Sequence, residues 1–203
     1  MQASRMLRFH TTPFSTLLGN IFDVMRQYEA KFTFPIVASV ALRNPKFVRS
    51  ILRFGHEVAV HGFNHIKYNY LSEEQQDNDI RKAVNTFKEL GISIRGFRAP
   101  YNLYTEYTPR LIEKYGFLWD AGIGYDWKYR EHTHFFRVRV NHHMSSFTCI
   151  PLNLWSDDLM IDSYGFKAHQ IAETLKRAIK QISENRGVVM FDLHPIRIGQ
   201  RQY

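Results

Sequence analysis

The stretch Gly55-His56-Glu57-Val58-Ala59-Val60-His61-Gly62-Phe63-Asn64-His65 decides how the rest of the chain is read. Val58 and Val60 alternate as along a half-buried strand, and the strand runs into a turn or a first helical turn. His61 and His65 stand four residues apart, which on a helical turn puts both imidazoles on one face. Two imidazoles so placed can grip one divalent cation, and Zn²⁺ at ~2.0–2.1 Å is the commonest such case. The plain alternative is two unrelated loop histidines, because a short motif matches often by chance. The company these residues keep has to decide.

On either side of this stretch, strand and helix signals alternate. Before it, Met6 to Phe9 reads as a short strand and residues 15–29 as a helix carrying Leu17, Leu18, Ile21, Phe22, Met25 and Tyr28 at helical spacing. Residues 32–38 read as a second strand, with Pro35 counting against a central position. Asn44-Pro45 opens a helix that carries Phe47, Val48, Ile51 and Leu52 inward and stops at Gly55. After it, Ser72 and Gln75 form a capping box for a helix reaching Gly91, with Ile80, Val84, Phe87 and Leu90 as its stripe. Residues 94–97 and 117–120 read as strands, with a helix from Thr108-Pro109 to Gly116 between them. Strands are also expected at 136–140, 147–152 and 188–191, and a helix over 166–185 carrying Ile171, Leu175, Ala178, Ile179 and Ile182.

Such alternation predicts an α/β fold of parallel βαβ units, in which sites gather at the carboxyl ends of the strands. The polar candidates fall at those ends. His10 follows the first strand, His61 and His65 the third, Arg98 the next, Asp120 the next and His194 the last.

Composition narrows the class. The chain has 203 residues, enough for one domain over 1–203 with a sizeable core. Hydrophobic residues make up 44% and charged residues 23%, as in ordinary globular proteins. A formal charge of +8 favours acidic partners, but the basic residues are scattered. Lys46, Arg49 and Arg53 read as one solvated helix face, so no nucleic-acid partner is expected. Cys149 is the one cysteine, which rules out an intrachain disulfide and fits a reducing cytoplasm. Neither a secretory leader nor an apolar run of ~18 residues is visible, so a cytoplasmic location without a membrane span is the expectation. Nothing in the sequence speaks to oligomeric state.

Four ordered segments now carry a resemblance. His61-Gly62-Phe63-Asn64-His65 resembles a metal-binding segment of the form H-[S/T]-x-x-H, with Gly62 in the small-residue place. Arg98-Ala99-Pro100-Tyr101 resembles R-x-P-[Y/F]. Asp120, or else Asp126-Trp127, resembles an Asp/Trp segment, and Leu193-His194-Pro195 a closing Leu-His segment. Together they resemble the polysaccharide deacetylase family (carbohydrate esterase family 4, the NodB-homology domain) over nearly the whole chain.

The resemblance implies an irregular, incomplete (β/α) barrel and a metal-dependent hydrolase of non-peptide C–N bonds, N-deacetylating a carbohydrate or another N-acylated small molecule. His61 and His65 would hold a divalent metal, zinc in the usual case, which lowers the pKa of a bound water. The Tyr101 N–H would hold the oxyanion, and Trp127 or Tyr101 would wall the sugar. His194 would protonate the leaving amine, and Arg98 would orient a carboxylate, with Asp120 as its partner.

One segment departs from the pattern. The family ends its first strand in T-F-D-D, a general base followed by a metal ligand. Here the matching residues are His10 and Thr11. His10 can serve as base or as a third nitrogen ligand, whereas Thr11 is a poor stand-in for a carboxylate. Three outcomes stay open: a metal-free or weakly metallated site, completion by another carboxylate (Asp157, Asp158 or Asp192), or a protein that binds a carbohydrate without hydrolysing it.

Overall fold

The computed structural model describes residues 14–125, 129, 132–152 and 156–195. The expected first strand, His10, Thr11, Asp126 and Trp127 lie outside the described residues. The described residues fall into two compact units. One is drawn from the spans Met1–Ala30, Leu154–Ala178 and Phe191–Tyr203, the other from Lys31–Asn153 and Ile179–Met190.

The second unit is built on five parallel strands: β1 (Thr33–Ile36), β2 (Glu57–Val60), β3 (Gly96–Phe97), β4 (Trp119–Asp120) and, later in the chain, β7 (Thr148–Cys149), hydrogen-bonded in that order. Between the last two, β5 (Arg139–Val140) and β6 (His143–Met144) form an antiparallel hairpin. Ile36, Val60, Phe97, Asp120 and Cys149 share one register row across the sheet. Proline-bearing β1 is at the sheet's edge among the described residues, as its missing N–H favours. In β2, Val58, Ala59 and Val60 are all buried, not the alternate ones alone, because a parallel strand is covered on both faces.

The helices follow the apolar spacing. α1 (Phe14–Gln27) belongs to the first unit and buries Leu17, Leu18, Phe22 and Met25, while Tyr28 lies past its end and is exposed. In the second unit, α2 (Ala38–Arg43), which sequence patterning does not announce, precedes α3 (Pro45–Arg53). Val48 and Ile51 of α3 are buried, and Lys46, Arg49 and Arg53 form its exposed face. Asn44 turns its side-chain amide to Val40 O at 3.1 Å instead of capping α3. α4 (Glu73–Glu89) carries the expected Ser72/Gln75 capping box, both halves made. α5 (Thr108–Lys114) precedes β4, and α6 (Ala168–Glu184) runs late in the chain with no residue buried and Ile179 exposed. None of the described helices is long and apolar enough to cross a membrane.

The last expected strand does not form: residues 187–194 contain no strand. One edge of β7 is taken by β4. On the other, Phe136 exchanges backbone hydrogen bonds with Cys149, so that edge is filled. Val188 N–H donates to Thr133 O instead.

Candidate active site

The register row fixes where the candidate residues sit in the second unit. Just beyond it, the N–H of His61 donates to Ile36 O, that of Arg98 to Val60 O and that of Ala121 to Phe97 O. His61, Arg98 and the end of β4 therefore follow one another along the carboxyl edge of neighbouring strands.

The chain turns sharply after His61. Gly62 adopts φ +73°, a left-handed conformation that glycine enters without steric cost. The turn's carbonyls at Gly62 and Phe63 accept from the N–H groups of Ala38 and Ser39, at the start of α2. Its N–H groups are met from the other side by Asp79 of α4. Oδ2 accepts from Phe63 N at 2.9 Å and from the Tyr68 hydroxyl at 2.9 Å, and Oδ1 accepts from Asn64 N at 3.2 Å. Asp79 is buried, and so is Tyr68, whose hydroxyl pKa is pushed up by burial first and by Asp79 second.

This clamp presents the two imidazoles to each other. His61 Nε2 and His65 Nε2 are 3.2 Å apart. Two ligand atoms at ~2.0–2.1 Å from a tetrahedral Zn²⁺ stand roughly 3.3–3.4 Å apart, so the pair has the separation of two nitrogens on one ion. His61 Nδ1 lies 2.8 Å from Arg98 O. A carbonyl only accepts, so Nδ1 carries the proton and Nε2 keeps its lone pair, the tautomer a metal ligand needs. These two residues fit a divalent cation. Among the described residues no third His, Cys, Asp or Glu joins them.

Tyr101 stands against His65, ring centroids 4.3 Å apart. Its backbone is left-handed at φ 60°, as is that of Asn102 at φ 56°. The turn sends the N–H groups of Asn102 and Leu103 back to Ala99 O and Pro100 O. Arg98 is buried, and its Nε donates to Asn102 Oδ1 at 2.9 Å. Asp120 is buried at the end of β4. Its Oδ2 accepts from the N–H groups of Gly122 (2.9 Å) and Ile123 (2.7 Å), and its Oδ1 has no hydrogen-bond partner among the described residues. Burial raises the Asp120 pKa to about 6, against the pull of those N–H groups and of Arg98. No hydrogen bond joins Arg98 to Asp120; the guanidinium acts on that carboxyl through space.

His194 belongs to the other unit. Its Nδ1 lies 2.6 Å from Asp157 Oδ1, and its N–H donates to Asp157 Oδ2 at 2.7 Å. Asp157 is itself buried, and its N–H donates to Asp192 O. The His194 pKa is raised, chiefly by the hydrogen bond to Asp157, with Asp192 and Asp158 adding to it against partial burial. Asp157, Asp158 and His194 offer ligand atoms within 4.8 Å of one another, a spacing that can hold a cation.

Sequence reading did not find Asp79 or Gln76. The signal was present: both are polar residues on the stripe that buries Ile80, Ala83 and Phe87. By sequence Asp157 is one of three carboxylates that can complete a metal site; in the structure it is the partner of His194. Two further histidines have partners away from this site. His132 stacks on Phe136 at 4.5 Å, and His143 pairs with Glu113 at 3.0 Å. His56 is buried and accepts from Phe32 N at 3.4 Å.

Compared with known proteins, residues 3–118, more than half of the chain, match the family described as Polysaccharide deacetylase. The chain belongs to that family. This polysaccharide deacetylase family member is 32% identical over 83 residues to the peptidoglycan-N-acetylglucosamine deacetylase of Bacillus cereus, 41% of this chain and 39% of that one. It is 24% identical over 102 residues to the chitooligosaccharide deacetylase of Sinorhizobium fredii, 49% of this chain and 47% of the relative. The solved structure of the allantoinase Puue superposes with a TM-score of 0.73 at 26% identity, over 92% of this chain and 62% of that one. The family member thus spans less than half the length of these two curated relatives. Its α/β architecture on a parallel sheet is that of the family's irregular (β/α) barrel.

Proposed function

We propose that this polysaccharide deacetylase family member hydrolyses an amide C–N bond, removing the acetyl group from an N-acetylated carbohydrate. The observation that carries this reading is the His61–His65 pair, with Nε2 atoms 3.2 Å apart and the His61 tautomer locked by Arg98 O. In this reading the two imidazoles hold a divalent cation, Zn²⁺ by preference. Such an ion, when bound, supplies Lewis acidity toward water and the acyl oxygen.

The chain's own groups do the rest. In this reading the Tyr101 N–H meets the oxyanion, and Trp127 or the Tyr101 ring walls the sugar. His194, whose protonated form the Asp157 hydrogen bond favours, donates the proton that lets the amine leave. His10 takes the proton of the attacking water. Arg98 and Asp120 hold the strand ends that carry these groups, with Asp120 fixing the chain after β4 through Gly122 and Ile123.

A second reading is favoured by Thr11 standing where the family has a carboxylate: a chain that binds the carbohydrate without cleaving it. Metal analysis of the purified chain beside His61→Ala, with acetate release from a panel of N-acetylated oligosaccharides, separates the two. One zinc per chain, lost in the variant, with acetate released, is the expected result. Glycan binding without acetate release, with zinc supplied, would replace the first reading by the second. Zinc retained in His61→Ala would overturn the assignment of the ligands.

A further inference from the structure

Beside His65 the second unit carries two residues the hydrolysis does not use, Lys67 and Tyr70, set against the ring of Tyr101. Lys67 Nζ lies 5.4 Å from the ring centre of Tyr101 and 5.7 Å from that of Tyr70, within cation–π range of both. Tyr101 is 44% exposed and Tyr70 74% exposed, so their rings meet solvent. Contacts run without a break from His61 to His65, Tyr101, Lys67 and Tyr70. Lys67 is half-buried, and no carboxylate pairs with it among the described residues.

The backbone under this cluster is held firmly. Buried Tyr68, between Lys67 and Tyr70, is anchored to Asp79. Buried Gln76 shares the two hydrogens of its Nε2 among Tyr68 O, Leu71 O and Thr105 Oγ1, and its Oε1 accepts from Thr108 Oγ1. One glutamine thus ties down the segment that bears Lys67 and Tyr70 and the segment that follows Tyr101. A mobile surface lysine would not need such support. Here exposed aromatic rings and a cation with no counter-charge among the described residues sit on a pre-organised base, which lowers the cost of ordering them around a ligand.

We infer that Lys67, Tyr70 and Tyr101 form a subsite for a sugar unit carrying a negative charge, next to the N-acetylated unit at His61 and His65. The rings offer flat apolar faces to a pyranose, and the ammonium meets its carboxylate. The inference rests on the proposed deacetylase reading and gives it a substrate class: an acidic N-acetylated glycan rather than a neutral one.

Binding to the metal-free full chain tests it, by calorimetry with two oligosaccharides of equal length. One is a neutral oligomer of N-acetylglucosamine. The other alternates N-acetylglucosamine with a carboxylate-bearing sugar. The acidic glycan should bind about tenfold more tightly, the ratio one charge-assisted contact supplies. Lys67→Met should bring the ratio close to one, and Lys67→Arg should keep it. Equal affinity for the two glycans, or a preference unchanged in Lys67→Met, would overturn the inference. So would equal binding of a single-stranded oligonucleotide, which would make the platform a nucleic-acid surface. Acetate release is scored separately. Preference for the acidic glycan without acetate release leaves the subsite standing and the hydrolase reading fallen, and acetate release with no preference does the reverse.

Discussion

Replacing Asp79 by asparagine tests what orients the histidine pair. The carboxylate accepts three hydrogen bonds, from Phe63 N (2.9 Å), Tyr68 Oη (2.9 Å) and Asn64 N (3.2 Å). An asparagine keeps one oxygen, best used on Phe63 N and the Tyr68 hydroxyl. Its amide nitrogen then faces Asn64 N, donor against donor. One bond is lost, and the other two fall from charge-assisted to neutral strength, roughly half. At about 1 kcal/mol for each of these losses, the variant should be less stable by roughly 3 kcal/mol. That is a large share of a net stability of about 5–15 kcal/mol.

Urea unfolding should show a lower midpoint at an unchanged slope, and Tm should fall by about 6–12 °C. The turn should also loosen around His61 and His65, so zinc affinity should drop about 10–100-fold, as when other groups that orient metal ligands are removed. Tyr68→Phe is the control. It removes one of the three bonds, should cost about 1 kcal/mol, and leaves Phe63 N and Asn64 N held. A loss below about 1 kcal/mol in Asp79→Asn would refute the clamp. So would a full loss of stability with zinc affinity intact.

Three further outcomes follow from the same structure. Burial raises the Asp120 pKa from 3.8 to about 6, so its contribution to stability is fully present below about pH 3.8 and is lost as pH rises through 6. Asp120→Asn should therefore gain on the parent by up to ~3 kcal/mol between pH 4 and pH 7, measured by urea unfolding at several pH values; a constant difference would contradict the raised pKa. Asp157→Asn removes the largest cause of the raised His194 pKa, so the ring's NMR titration should shift to lower pH, and the alkaline limb of any pH–rate profile should move with it; an unmoved titration would contradict the pairing. A methyl group at Gly96 would stand inside the Trp119 indole, which crosses over it to reach Glu57, so Gly96→Ala should cost about 1–3 kcal/mol and change the Trp119 fluorescence.

Much of the fold is legible in the sequence because its signals are local. The Ser72/Gln75 box, the Asn44-Pro45 start and the apolar stripes of α1, α3 and α4 each depend on residues within a turn or two of one another. The positions of His61, Arg98 and Asp120 are legible for a related reason: a parallel α/β sheet places the residues at the ends of its strands along one edge. What local reading misses depends on partners far along the chain. Asp79 meets a turn 15 and 16 residues earlier, and Asp157 meets His194 37 residues later. The strand expected at 188–191 does not form, and Val188 N–H donates instead to Thr133 O, a distant residue that no pattern in 188–191 reveals.

Gly62 joins the local and distant parts of the site. The resemblance expects a serine or threonine in its position, and by sequence alone the glycine is a mild variation among small residues. In the structure a Cβ there would stand 2.9 Å from Asp79 Oδ2 and 2.9 Å from Asn64 O, at a φ of +73°. A side chain at 62 and a carboxylate reaching Phe63 N from α4 compete for the same space. The chain has the glycine and the carboxylate, so the turn that a hydroxyl residue would brace from within is braced here from α4. The same helix, through Gln76, holds the backbone on which Lys67, Tyr70 and Tyr101 stand. The departure at Gly62 and the platform beside His65 thus trace to one buried polar pair on α4, and changes at Asp79 or Gln76 are felt at both.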